Sequence, residues 1–363
     1  MTGKANRGAR RVLHAVTVVA LLGASAYLTV ELRKEEQAKA PAVQLVTDRP
    51  AGVTDSGSPA PEAAEQRWER LKNPARSVLR DARGKVLATF TDGARTATLT
   101  GPSRTFSEPA NTKTRVVTEN WVRFMPEEWK EGAQSTKWFK DWFKEFYGSD
   151  EEDLFAIAFQ YVEGAPVKKD AQGVAYAGDA DFGPINPNGS EGADLRLEQS
   201  DFYDYLGTPY TFRNGTTLRS EPMRARSMDC SGFVRAVLGY RARYPLAPAD
   251  GQGDGLPRTA NGMARSGLGA PIIKLTGAAP WYTRPTSIDI LQPGDLVFFK
   301  LDQRTGSRLD HTGIVLGNDS DGHLIFISSR EEVNGPTIGD KGGTSRLDGN
   351  GYYAGTLRSA LRL

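Results

Sequence analysis

An apolar run from residue 12 to about residue 30 opens the chain, with Lys4, Arg7, Arg10 and Arg11 before it and Glu31, Arg33, Lys34, Glu35 and Glu36 after it. A single spanning helix needs about 20 apolar residues, and this run supplies them. The basic flank predicts an N-terminus kept inside and a remainder delivered outside. Ala24-Ser25-Ala26 equally fits a signal-peptide cleavage site. Residues 1–36 are therefore expected to be a signal anchor or a signal peptide, and either exports the rest of the chain. His14 is a polar residue tolerated within the run. Residues 37–64, rich in Ala, Pro, Gly, Ser and Thr and without period, predict a linker.

Beyond the linker the period becomes two. Short strands are predicted over 77–80, 86–91, 96–100, 115–118 and 120–125, separated by Arg83-Gly84, Asp92-Gly93 and Gly101-Pro102 as turns. A helical period comes next. Trp138, Phe139, Trp142, Phe143 and Phe146 make an aromatic stripe, and a second helix is predicted over 151–162. Such stripes are core-forming, so residues 65–165 read as a small α+β module whose sequence does not disclose a role. Residues 166–199, rich in Gly, Asp, Asn and Pro, predict a polar surface connection.

The pattern changes again at residue 200. A polar turn over 224–229 leads into Cys230-Ser231-Gly232-Phe233-Val234, with Phe233, Val237 and Tyr240 on one helical stripe. Cys230 thus falls at the first turn of a helix. Free N–H groups and the helix dipole favour an anion there, which predicts a lowered thiol pKa. A lone cysteine is equally a small buried hydrophobe, so its neighbours decide. Leu291-Gln292-Pro293-Gly294-Asp295-Leu296-Val297-Phe298-Phe299 is a turn entering a strand. Asp310-His311-Thr312-Gly313-Ile314-Val315-Leu316-Gly317 opens a second strand, and 324–329 a third. A Cys–His hydrolase needs a thiolate at a helix tip and an imidazole to carry its proton, and His311 can supply the second.

Composition removes other classes. The 363 residues carry a formal net charge of +2, and no Lys/Arg stripe interleaves with aromatics, which argues against nucleic acid as partner. One cysteine excludes an intrachain disulfide framework and a cysteine-based metal cluster. Three histidines, none at metal-site spacing, predict neither metal nor cofactor.

Leu206-Gly207-Thr208-Pro209-Tyr210, then Asp229-Cys230-Ser231-Gly232-Phe233-Val234, Leu256-Pro257-Arg258-Thr259-Ala260, the Pro-Gly-Asp strand and the His311 strand, in that order, resemble the NlpC-type bacterial cell-wall cysteine peptidases. The resemblance covers about residues 200–330. It implies a papain-like α+β domain over 200–363, with the Cys helix packed on an antiparallel sheet. It also implies an exported hydrolase that cleaves the D-γ-glutamyl–diamino-acid bond of peptidoglycan stem peptides, with Cys230 as nucleophile and His311 as base. A monomer is expected.

The family usually places His, Asn or Gln on the next strand to orient the imidazole. The matching position here is Ser328, set opposite His311 by a hairpin centred on Asp319-Ser320. His323 is a rival at the turn end, several residues away at about 3.3 Å each, and a backbone carbonyl is a third possibility. By the same resemblance Tyr210, Asp229 and Ser231 grip the substrate's amine and backbone. Asp229 can instead cap the Cys helix. The N–H groups of Ser231 and Cys230 can form an oxyanion site, and Gly232 is expected to let helix and sheet pack closely. Residues 267–282 read as a loop that edges the cleft or caps the core. The departure at Ser328 keeps an inactive wall-binding protein open as an alternative, and the same Cys–His pair also fits an amidase or peptidyl transferase on the same wall substrate.

Overall fold

The computed structural model describes residues 66–190, 194–339 and 345–363. The expected anchor or signal peptide and its linker lie outside these residues. Among the described residues no helix is long and apolar enough to cross a membrane.

The period-two segment folds as an antiparallel meander of β1 (Arg67–Leu71), β2 (Arg76–Arg80), β3 (Val86–Thr91), β4 (Thr96–Ser107) and β5 (Arg115–Phe124), paired in chain order. β4 runs straight through Gly101-Pro102, which the sequence predicts as a turn. The pairing slips there by a bulge between Thr100 and Arg104. A Cβ on Gly101 would lie 2.6 Å from the Trp121 ring, whose Nε1 donates to Pro102 O at 3.1 Å. This glycine makes room for an indole and does not reverse the chain.

α1 (Lys137–Phe146) starts at Thr136, whose Oγ1 accepts from Phe139 N, and buries Phe139 and Trp142 against this sheet. Phe90 stacks on Trp129 at 4.5 Å and meets Phe139 edge-on at 5.2 Å. Burying each such ring stabilises the fold by about 1.5–3 kcal/mol. α2 (Leu154–Ala158) is capped by Asp153, whose other oxygen accepts from Val122 N at 2.7 Å and pairs with the buried Arg104.

The second sheet is also antiparallel. Its strands are β6 (Ala270–Ile273), β7 (Leu296–Phe299), β8 (His311–Asn318), β9 (Leu324–Arg330), β10 (Gly335–Thr337) and β11 (Leu357–Arg362), in the order β6-β11-β7-β8-β9-β10. α3 (Phe202–Leu206), α4 (Cys230–Val234), α5 (Ala260–Arg265) and α6 (Tyr352–Thr356) accompany it. α4 continues as a π-helical stretch, Arg235–Arg241. Phe233, Val234 and Val237 meet Ile314 and Ile327 in one apolar cluster, while Tyr353 joins Phe299 and Phe326 in another. The expected α+β plan of a helix on an antiparallel sheet is present.

The core does not stop at residue 165. Phe106, Val116 and Val122 of the first sheet share a cluster with Phe233 and Ile314. Polar ties reinforce the junction. Buried Asp295, from the Pro-Gly-Asp turn, pairs with Arg362 through Nε at 2.6 Å and Nη2 at 2.8 Å, and Arg362 also donates to Thr91 Oγ1. Glu108 accepts from Thr337 Oγ1 at 2.7 Å and Ile338 N at 2.8 Å. The stretch read as a polar connection also packs inward: Phe182 is buried, and Gln199 N donates to Asp229. In the region expected as a loop over 267–282, residues 270–273 form edge strand β6.

Candidate active site

Cys230 occupies the first position of α4, as the apolar period implies. Asp229 is the N-cap, its Oδ1 accepting from Gly232 N at 2.7 Å. Gly232 is required by a neighbour other than the sheet. A Cβ there would lie 2.3 Å from Ser200 O, so the close approach is to the 200–201 backbone. Among the described residues the N–H groups of Cys230 and Ser231 have no acceptor, as befits the first turn of a helix.

The sulfur lies against the start of β8. Cys230 Sγ is 4.0 Å from Asp310 O and receives the N–H of Thr312, the residues on either side of His311. No hydrogen bond joins the sulfur to His311 itself among the described residues. The imidazole is engaged elsewhere: its Nε2 lies 3.1 Å from Ser328 Oγ, and its face stacks on Tyr353 at 5.6 Å.

Ser328 is therefore the side chain that holds His311, although the register differs from the expected one. The turn closes between Asp319 and His323, and a bulge lies at Val315–Gly317. From the pair Ile314–Ile327, counting back sets Gly313 opposite Ser328 and His311 opposite Arg330. Ser328 reaches the ring diagonally, because a slip of two residues preserves the face. His323 sits at the turn end, half-exposed, with Nδ1 3.2 Å from Asp348.

The residues expected to grip substrate are placed differently. Asp229 accepts from Gly232 N, Ser231 Oγ and Gln199 N and pairs with Arg258 at 2.8 Å. Ser231 Oγ accepts from Arg258 Nη1 at 2.7 Å. Both side chains are buried and spent on internal partners, so the capping role of Asp229 is realised and neither offers a free group to an amine. Tyr210 packs on Phe202, Phe212 and Tyr240. Tyr240 lies ten residues beyond Cys230 along the same helical stretch. Arg330 and Tyr353 carry no signal in the sequence that singles them out, and Arg258 falls in the motif over 256–260 without a role being assigned to it.

Burial governs the charges. Cys230 is 7% exposed and His311 6%. Burial pushes the thiol well above its ordinary value, the carboxylates of Asp229 and Glu198 add to this, and the Thr312 N–H opposes it. The sequence predicts the reverse shift; desolvation outweighs a helix-tip effect that is worth only about 0.3–1 kcal/mol at exposed sites. Burial, helped by the Arg330 charge, lowers the His311 pKa to about 3, with Asp229 acting the other way. Burial would raise the Asp229 carboxyl, but Arg258 holds it below the usual range. The described arrangement is thus a neutral thiol beside a neutral imidazole.

A thiol at a helix tip, set against a strand whose first residue is a histidine held from the next strand, has the layout of a Cys–His hydrolase site. Residues 207–335 match the model of the NlpC/P60 family, whose members are generally cysteine peptidases and hydrolases acting on peptidoglycan. The match takes in Cys230, His311, Ser328 and Arg330 and ends before Tyr353. No curated protein matches the chain.

Proposed function

We propose that this protein is an exported cell-wall cysteine endopeptidase that cleaves the D-γ-glutamyl–diamino-acid bond of peptidoglycan stem peptides. Cys230 attacks the carbonyl carbon, and its proton passes through His311 to the leaving amine. The resulting thioester is then hydrolysed by water. Ser328 orients the imidazole, and the N–H groups of Cys230 and Ser231 face the developing oxyanion. The single observation that carries the reading is the seat of Cys230 Sγ against the backbone on both sides of His311, with that ring tied to Ser328. The export expectation comes from the charge and hydropathy of residues 1–36.

The test is product analysis by mass from purified sacculi. The wild-type chain is expected to release fragments with a new amino terminus, and Cys230→Ala none. Equal release by both would remove the nucleophile assignment. Release of a different fragment would move the reading to an amidase or transferase.

The raised thiol and its burial favour a second reading, an inactive wall-binding protein. A thiol-reactive probe at neutral pH separates the two. Labelling of Cys230 in the presence of sacculi supports the enzyme, and a thiol inert both with and without sacculi supports the binder.

A further inference from the structure

Arg330 lies two residues beyond Ser328 on the same face of β9. Its Nε is 3.1 Å from Ser328 Oγ, and that oxygen is 3.1 Å from His311 Nε2. The guanidinium is fixed. Nη1 donates to Gly339 O at 2.9 Å, Nη2 donates to Ser345 Oγ, and the group lies 4.5 Å from the Tyr353 ring centre.

A guanidinium N–H can only donate, so Ser328 Oγ must accept from Arg330. Among the described residues Oγ has one other side-chain partner, His311 Nε2. If the hydroxyl donates to Nε2, both its oxygen and its proton are paired, and Nδ1–H is not among the buried polar atoms left without a partner. If Nε2–H donates instead, the hydroxyl proton has no acceptor at a residue of 0% exposure, an outcome that buried polar groups avoid.

We infer that Arg330 is a positioning residue that, acting through Ser328 Oγ, fixes the neutral His311 ring with its proton on Nδ1. The inference rests on the reading of Cys230 and His311 as the reactive pair. With Nε2 taken by Ser328, Nδ1 is the nitrogen left to serve the sulfur. It presents an N–H where a base must present a lone pair, so the resting ring cannot accept the thiol proton. Turnover then requires the Ser328 hydroxyl to turn from Nε2. One proton from water is gained at Nε2 and one is lost to water from Nδ1, so the ring stays neutral. Serine permits this exchange because a hydroxyl both donates and accepts.

The test is the nitrogen-15 shift of the imidazole nitrogens in the full chain at neutral pH. The chain has three histidines, and the His311 signals are those lost in His311→Asn. The expected result is the Nδ1–H tautomer in the wild type and a shift toward Nε2–H in Arg330→Lys, which keeps the charge and removes the Nε donor. Alkylation of Cys230 is expected to quicken several-fold in the same variant. Nε2–H in the wild type, or an unchanged tautomer in a folded Arg330→Lys protein, would overturn the inference. Ser328→Ala is the second variant and is expected to lose the Nδ1–H preference equally. Nε2–H in a wild type that cleaves sacculi sinks this inference alone. Nδ1–H in a protein that neither alkylates nor cleaves sinks the hydrolase reading alone.

Discussion

Phe90 in the first sheet and His311 in the second are both buried rings on antiparallel strands, each stacked by an aromatic from another element. Phe90 lies against Trp129 at 4.5 Å, and His311 against Tyr353 at 5.6 Å. Phe90 asks nothing further of its surroundings. His311 carries polar ring nitrogens, and pairing Nε2 recruits Ser328, then Arg330, then Gly339 and Ser345. A site built of polar groups therefore spreads constraint through its neighbours, whereas an aromatic cluster keeps it local. Around Phe90 the structure is held mainly by shape, and around His311 by a network.

The largest expected effects break the two regions by opposite means. Phe90→Ala leaves a cavity in the aromatic cluster and should cost about 3–5 kcal/mol. Asp201→Asn should cost a similar ~3–5 kcal/mol for another reason. It strands Arg235, which is fully buried and whose Nε is 3.0 Å from Asp201 Oδ2. The two are told apart by rescue in denaturant unfolding. Adding Arg235→Met to Asp201→Asn should recover much of the loss, since an uncompensated charge is removed. Independent losses in the double variant would show that the pair acts by packing.

Much of this contrast is legible in the sequence. The strands near 77–80 and 86–91 come from alternation closed by glycine turns, and the place of Cys230 comes from a polar turn meeting a helical period. Ser328 is reachable even with the hairpin centre misplaced, because alternation on a strand survives a slip of two. Arg330 is not, because it faces His311 only once the bulge at Val315–Gly317 is known. Asp229 and Ser231 read as substrate groups in sequence because Arg258, their partner, comes from a segment nearly thirty residues away. The thiol's pKa direction is misread because a helix tip is visible in sequence and desolvation is not.

The next effect is a pH dependence confined to the second region. The His311 pKa falls from 6.5 to about 3 on folding. Between those values the unfolded chain binds a proton that the folded chain refuses, so stability falls as pH is lowered through this window. Above it the ring contributes no slope. Each pH unit within the window is worth at most about 1.4 kcal/mol from this group. His311→Asn should flatten the acid limb relative to the wild type, while Phe90→Ala should lower the whole curve and leave its slope alone. An equal acid slope in wild type and His311→Asn would mean that the ring is protonated in the folded state.

The smallest effect compares two helix caps. Thr136 caps α1 in the first region, and Asp229 caps α4 in the second. Thr136 Oγ1 accepts from Phe139 N at 3.4 Å, a long bond at a partly exposed end. Thr136→Ala should therefore cost only ~0.5–1 kcal/mol. Asp229→Ala removes a cap bond of 2.7 Å together with the ion pair to Arg258, and it should cost clearly more. The ratio of the two losses measures how far a cap in the site has been drawn into its network. Similar losses would mean that Asp229 acts as a cap alone and that Arg258 transfers its hold to Asp201, 3.5 Å away.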